Sequence, residues 1–282
     1  MPDSLLPFDA SLSYSKLLDE IPALADHEAM ARKSEIIMSV SGKNITDPLD
    51  KIAHRGYGFA RVYDDFLSLS CHALAERERE YMEIIRSYPN DRAFGEREAD
   101  YFKQAFHAWQ AALQVEYKDY LGEIYEQRVS LGENGQFFTP EHLCELMAAM
   151  TAEELKDGQR VYDPACGSGR TLLTATRRNR LASFHGIDLD QRCVKMTALN
   201  LLCRNVDGWV VWGNTISLDA YGGYELTRTP FGGKMEWFGE NRARELITRG
   251  LTERVAEPVE VEQSQTEDRA EVQKPEQYSL ML

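Results

Sequence analysis

No two cysteines in this chain are spaced Cys-x-x-Cys, no two prolines are adjacent, and no apolar run approaches the roughly 20 residues that span a bilayer. The scattered thiols of Cys71, Cys144, Cys166, Cys193 and Cys203 exclude a disulfide framework and a zinc site of ordinary spacing, so free cysteines and no metal are expected. The opening residues, Met1-Pro2-Asp3-Ser4, put no basic stretch ahead of an apolar one. A soluble, cytoplasmic protein without a membrane partner is therefore expected. Net positive charge is also lacking: 46 acidic side chains face 32 basic ones, for a net charge of -14. Phosphate cannot be held by a uniformly basic surface, and any contact with nucleic acid has to be local. Two local basic clusters exist, Arg177-Arg178-Asn179-Arg180 and Arg242, Arg244 and Arg249, although mixed-charge helix faces are the more common origin of such groupings.

What the chain has is 282 residues, 43% of them hydrophobic, enough for one substantial core. Residues 1–127 carry apolar side chains at spacings of three and four, the signature of a helical region. Tyr14 to Ala25 and Glu28 to Val40 are predicted as its first helices, with Leu49 to Glu80 broken by Gly56 and Gly58. Glu96 to Glu126 reads as one long helix whose stripe of Tyr101, Phe102, Phe106, Trp109, Leu113, Tyr117, Tyr120 and Ile124 is expected in the core.

Residues 128–250 change to strands alternating with helices, which predicts an α/β layer with parallel strands. Strands are expected at Arg160 to Ala165, Ser183 to Leu189 and Trp209 to Trp212, with helices at Ser168 to Arg178 and Gln191 to Arg204. The first strand runs into Asp163-Pro164-Ala165-Cys166-Gly167-Ser168-Gly169, a turn whose glycines leave the backbone open to a ligand, and the second ends in Asp188. A glycine turn followed about 20 residues later by an acid at a strand end is the pattern that binds a nucleotide-like cofactor, the acid taking the ribose hydroxyls. There is no Gly-Lys-Ser/Thr, so the turn is not a phosphate cradle. Residues 251–282 are acidic and poor in aromatics, and a disordered tail is predicted.

Together with Gly135-Gln136-Phe137-Phe138-Thr139-Pro140 ahead of a helix at Glu141, this turn resembles the N6-adenine DNA methyltransferases of the gamma type, which include modification subunits of type I restriction systems. The resemblance covers roughly residues 115 to 232. It implies a Rossmann-like methyltransferase sheet and S-adenosyl-L-methionine as cofactor. Phe137, Phe138, Thr139 and Pro140 would pack against the methionine part, and Asp163, with Ala165, Gly167 and Gly169, would receive the ammonium group. Asp188 would hold the ribose, with Leu189 beside the adenine. Asn214, in Gly213-Asn214-Thr215 after the third strand, is a candidate for the adenine amino group, and equally an ordinary turn residue. A second, looser resemblance lies in Gln277-Tyr278-Ser279-Leu280-Met281-Leu282, which is similar to peptides that dock on the bacterial sliding clamp.

The resemblance breaks at catalysis. The family's Asn/Asp-Pro-Pro-Tyr/Phe is absent, and Arg228-Thr229-Pro230-Phe231-Gly232 stands in about its place. Pro230 and Phe231 are kept, but Arg228 carries five donors and no acceptor, so it cannot receive a hydrogen bond from a target amine. Methyl transfer to adenine N6 in DNA is thus one expectation. The other is an inactive, methyltransferase-like binding or regulatory module from a phage or mobile element, tethered to the clamp. Met235 to Arg249 reads as one helix, which leaves the sheet short of strands. Its unpaired edge is predicted to be covered by the N-terminal helices, a partner subunit or a second copy.

Overall fold

A computed structural model of the chain describes residues 42–130 and 138–255. The helices expected before residue 42, the side chain of Phe137 and the clamp-like peptide lie outside the described residues. The helical region contains α1 (42–52), which continues into a π-helical turn, α2 (Phe59–Leu74), α3 (Glu78–Arg86), α4 (Glu98–Val115) and α5 (Tyr120–Tyr125). The expected break at Gly56 and Gly58 falls between α1 and α2. The single helix expected over 96–126 is two helices. Asp119 starts the second by accepting a 2.8 Å hydrogen bond from the Gly122 amide, the usual work of an N-cap carboxylate. The predicted aromatic stripe is core: Tyr101, Phe102, Phe106, Trp109, Leu113, Tyr120 and Ile124 are buried.

After α6 (Glu141–Thr151) come β1 (Arg160–Asp163), α7 (Arg170–Ala175), β2 (Ser183–Asp188), α8 (Gln191–Cys203), β3 (Asp207–Gly213), β4 (Ala220–Thr227), β5 (Lys234–Gly239) and α9 (Glu240–Val255). The five strands form one mixed α/β sheet in the order β1-β2-β3-β4-β5. The first three are parallel, in the register Asp163↔Gly186 and Asp188↔Trp212. β4 and β5 turn back as an antiparallel hairpin, with Trp212↔Gly222 and Tyr224↔Trp237 as partners. The segment expected to open a helix at Met235 is therefore a strand first. Met235 is buried and the Trp237 ring meets Tyr224 edge-on at 5.1 Å, a cross-strand aromatic pair that outweighs weak local helical preference.

α7 and α8 lie on one face of the sheet and α9 on the other, where Ala243, Leu246 and Ile247 pack on Ile187, Val211 and Ala220. The N-terminal helices share the core on the α8 face. Polar ties bind the two parts: Tyr117 Oη donates to the Asn200 carbonyl at 2.6 Å, and Lys195 Nζ to Ser68 Oγ at 2.7 Å. At the β5 side the Arg77 guanidinium sits over Trp237, 4.7 Å from the ring centre. The edge expected to lie open at the fourth strand is paired by β5, and β1 has no strand on its outer edge among the described residues. No helix among the described residues is long and apolar enough to cross a membrane.

Candidate functional site

The site forms where β1 and β2 end. The Asp163 carboxylate accepts from the Ala165 amide at 3.1 Å and from the Thr171 hydroxyl on α7, which fixes it at the mouth of the turn. Gly167 and Gly169 have φ values of +55° and +82°, the left-handed region where a side chain is strained. The Gly167 amide donates to Asp188 Oδ2 at 2.8 Å, and the Asp190 amide donates to Asp188 Oδ1 at 2.8 Å. One acceptor site thus remains on each oxygen of Asp188 for an incoming hydroxyl. Burial pushes the Asp188 carboxyl above its ordinary pKa, against the two amides that favour its charged form. Leu189, next in the chain, is 61% exposed on the same rim.

The Phe-Thr-Pro loop reaches this turn. A Cβ built on Gly167 would stand 2.7 Å from Cδ1 of Phe138, so the ring rests on the glycine and would be displaced by any side chain there. Phe138 is held from below by Tyr125, 5.6 Å away between ring centres, and its amide donates to Glu126 Oε1 at 2.9 Å. Pro140 is the N-cap residue of α6, and the Thr139 carbonyl accepts from Arg170 at 3.2 Å.

Beneath the turn is a polar cluster that no sequence motif announced. Buried Asp119 accepts from the Ser168 hydroxyl, from Asn200 Nδ2 at 2.8 Å and from Arg170 Nε at 3.2 Å, while Arg170 also donates to Glu126 at 3.0 Å. Burial drives the Asp119 carboxyl's pKa up, and the Arg170 charge and these donors only partly offset it. The cluster ties α5, the glycine turn, α8 and the Phe-Thr-Pro loop together. Ser168 and Arg170 belong to the visible motif, but Asp119 and Asn200 lie 49 and 32 residues from Ser168, distances that only the fold brings together.

Two other expectations are corrected. Asn214 Oδ1 accepts from the amides of Ile216 and Ser217 at 2.9 and 3.2 Å, so both lone pairs close its own turn and none is left for an adenine amino group. Its neighbour Thr215 instead ties this loop to β1, donating to the Pro164 carbonyl at 2.7 Å. Pro230 and Phe231 do not join the site at all. They form the tip between β4 and β5, and because β4 runs antiparallel to β3, that tip lies at the opposite end of the sheet. The Arg228 amide donates to Asp207 at 2.7 Å, at the start of β3, six residues and about 20 Å from the strand's other end. Phe231 is 101% exposed there. Both basic clusters supply partners to acids, Arg177 to Glu141 and Glu145 and Arg242 to Glu245, as a mixed-charge surface does. Among the described residues no group of three His, Cys, Asp or Glu could hold a metal ion.

Residues 116–245 match the family described as N-6 DNA Methylase. Two relatives are subunits of type I restriction enzymes. The MpnII methylase subunit of Mycoplasma pneumoniae is 29% identical over 100 residues, covering 32% of this chain and 18% of the relative. The MjaIX methylase subunit of Methanocaldococcus jannaschii is 33% identical over 100 residues, covering 33% and 17%. The type II restriction enzyme and methyltransferase RM.BcgI of Heyndrickxia coagulans is 29% identical over 140 residues, covering 40% and 21%. The aligned part thus spans about a fifth of each of these curated relatives. Among solved structures, a putative class I S-adenosylmethionine-dependent methyltransferase from Listeria monocytogenes is 15% identical with a TM-score of 0.37, covering 60% of this chain and 52% of that one. A type I restriction-modification methyltransferase subunit from Streptococcus thermophilus is 17% identical with a TM-score of 0.29, covering 63% and 53%. The cofactor of this family is S-adenosyl-L-methionine, and the free acceptor positions of Asp188, the Phe138 ring resting on Gly167 and the apolar Leu189 fit it. Over residues 116–245 the chain is thus similar to the N6 DNA methyltransferase family.

Proposed function

We propose that this chain binds S-adenosyl-L-methionine on the rim formed by the ends of β1 and β2, and serves adenine-N6 methylation of DNA as the donor-holding part of a larger assembly. The observation that carries the reading is the meeting of three motifs at one place: Phe138 rests on Gly167, whose amide bonds Asp188. The bound cofactor would supply an electrophilic methyl group. Asp188 accepts from the ribose hydroxyls, Asp163 from the ammonium group, and Leu189 offers apolar surface to the adenine ring.

The methyl acceptor's half of the reaction is assigned elsewhere. Directing an adenine amine requires groups that accept its hydrogen bonds, together with an aromatic face for the extruded base. No Asn/Asp-Pro-Pro-Tyr/Phe exists in this sequence, and Arg228 to Phe231 lie at the opposite end of the sheet from the glycine turn. We therefore assign the acceptor groups and DNA recognition to a partner subunit. The relatives named as methylase subunits of type I restriction enzymes support both a DNA substrate and a partner.

Calorimetry of the full chain with S-adenosylmethionine and its demethylated product, followed by transfer of labelled methyl to adenine-containing DNA, tests the two halves separately. Binding without transfer is expected from the chain alone. Failure to bind either compound overturns the donor site, and transfer by the purified chain alone overturns the need for a partner.

A further inference from the structure

Four arginines gather at the end of the sheet opposite the donor rim. α8 starts at the rim, with Asp190 as its N-cap, and runs 13 residues, about 20 Å, to Arg204 at its C-terminus. α7 gives way to Arg177-Arg178-Asn179-Arg180 just before β2 begins. Tyr117 draws the two segments together. The Arg204 guanidinium sits over its ring, 4.7 Å from the centre, while Arg177 donates to its carbonyl at 3.0 Å. Arg204 Nε also donates to the Thr176 hydroxyl at 3.1 Å.

Arg177 is neutralised by Glu141 and Glu145. The other three are not: among the described residues, none of Arg178, Arg180 and Arg204 forms an ion pair with a carboxylate. Asp157, which borders the loop, accepts from Asn179 at 2.9 Å instead. Burial lowers the Arg204 pKa from its ordinary value, and the charges of Arg180 and Arg177 lower it further. The guanidiniums are thus close enough to repel one another. A helix C-terminus offsets at most about half a charge, so the ends of α7 and α8 do not balance three arginines. An anion laid across them would.

Arg178 and Arg180 are exposed, so the face is open. A small anion needs an enclosing pocket, whereas an extended polyanion is held by charges spread along a surface. Guanidinium groups offer paired donors to phosphate oxygens. With a net charge of -14 on the whole chain, the attraction is confined to this face.

We propose that Arg178, Arg180 and Arg204 form a phosphate-binding face that holds the DNA backbone without sequence preference, at the end of the sheet away from the donor rim. The separation of about 20 Å is shorter than one duplex turn of about 34 Å, so the contact falls within a turn of the target base. The choice of DNA as the polyanion rests on the function proposed above.

Fluorescence anisotropy of a labelled duplex of arbitrary sequence tests it on the full chain, across about 50–200 mM salt. The parent is compared with Arg178→Gln/Arg180→Gln and with Arg242→Gln/Arg244→Gln, which loses the same charge at arginines paired with Glu245 and Glu240. The parent should bind with a steep salt dependence. Removing Arg178 and Arg180 should weaken binding about fivefold or more at the low-salt end and reduce the slope of log affinity against log salt by about 1–2, since each lost phosphate contact takes about 0.9 from it. The control should stay near the parent. No salt-dependent binding by the parent, an unchanged slope without Arg178 and Arg180, or an equal loss in the control each overturns the proposal. Calorimetry with S-adenosylmethionine on the same proteins, expected to give equal affinities, keeps the two readings apart. A chain that binds DNA through this face but no cofactor overturns the donor site alone, and one that binds cofactor but no DNA overturns the phosphate face alone.

Discussion

Asp188 Oδ2 accepts a 2.8 Å hydrogen bond from the Gly167 amide, so the acid at the end of β2 and the glycine turn after β1 form one rigid unit. Replacing Asp188 by alanine removes both this brace and the acceptors offered to ribose. A hydrogen bond to a charged group contributes about 1.5–3 kcal/mol, so S-adenosylmethionine affinity should fall by about tenfold to a hundredfold, read by calorimetry. The ionised carboxylate is the accepting form, and burial raises its pKa. Affinity should therefore weaken as pH falls toward the carboxylate range, and sooner than an ordinary aspartate would allow. An affinity indifferent to pH down to 4 would remove Asp188 from the site.

Gly167 makes a sharper steric test. Alanine would be strained at φ +55° and would place its Cβ 2.7 Å from the Phe138 ring. The ring has to leave, carrying the Phe-Thr-Pro loop with it. Gly167→Ala should weaken cofactor binding while the helical core, which meets the turn through Ser168, keeps its far-UV signal. Phe138→Ala combined with Gly167→Ala should lose less than the two single effects added together, because one contact is counted in both.

The cluster under the turn is structural. Asp119→Ala takes the buried acceptor from Ser168 and one of two acceptors from Asn200, and leaves Arg170 paired with Glu126 alone. Leaving buried donors unsatisfied costs about 1–3 kcal/mol, below the cost of a wholly unpaired buried charge. Denaturant midpoints should drop accordingly. A change under 1 kcal/mol, on the order of a surface pair, would show that the cluster does not hold the turn.

His72 on α2 gives a pH dependence of opposite origin. Burial, helped by the charges of Arg77 and Lys195, pushes its pKa down from 6.5 to about 4, and its buried Nδ1 has no hydrogen-bond partner among the described residues. The unfolded chain takes up a proton between those two values and the folded one does not. This contribution to stability is complete above pH 6.5 and declines as pH falls from 6.5 to 4. Thermal melts should show that decline in the parent and a shallower one in His72→Gln. Equal slopes would place the acid sensitivity elsewhere.

Legibility of the fold in the sequence followed the range of the interactions. β1, β2, β3, α7 and α8 are written in local apolar runs and glycine punctuation, and they stand within a few residues of the predicted places. Asp163, Gly167 and Asp188 come together for the same reason, because they belong to one short supersecondary unit. β5 was read as helix because Met235 to Gly239 is short and only its pairing with β4 decides its state. Asp119 was missed for a related reason: a carboxylate before a helix looks like an ordinary cap, and it is one, with Ser168, Asn200 and Arg170 added by tertiary packing. The placement of Pro230 and Phe231 failed because strand direction after β3 is not encoded in the local pattern.

That last point carries its own prediction. If Phe231 stacked a target base beside the cofactor, its removal would impair any assembly that methylates DNA. In the structure it is a solvent-exposed turn residue, and the turn is held by other groups: the Thr229 amide and carbonyl bond Asn205 at 3.0 and 2.9 Å, and the Arg228 amide bonds Asp207. Phe231→Ala should leave cofactor affinity unchanged and move stability by no more than about 0.5 kcal/mol, as a surface substitution does. Asn205→Ala, which removes both bonds to Thr229, should destabilise the hairpin by more, roughly 1–3 kcal/mol. Measuring the pair together separates the readings, since a base-stacking aromatic gives a silent melt with lost activity, whereas a turn-tip residue is silent in both.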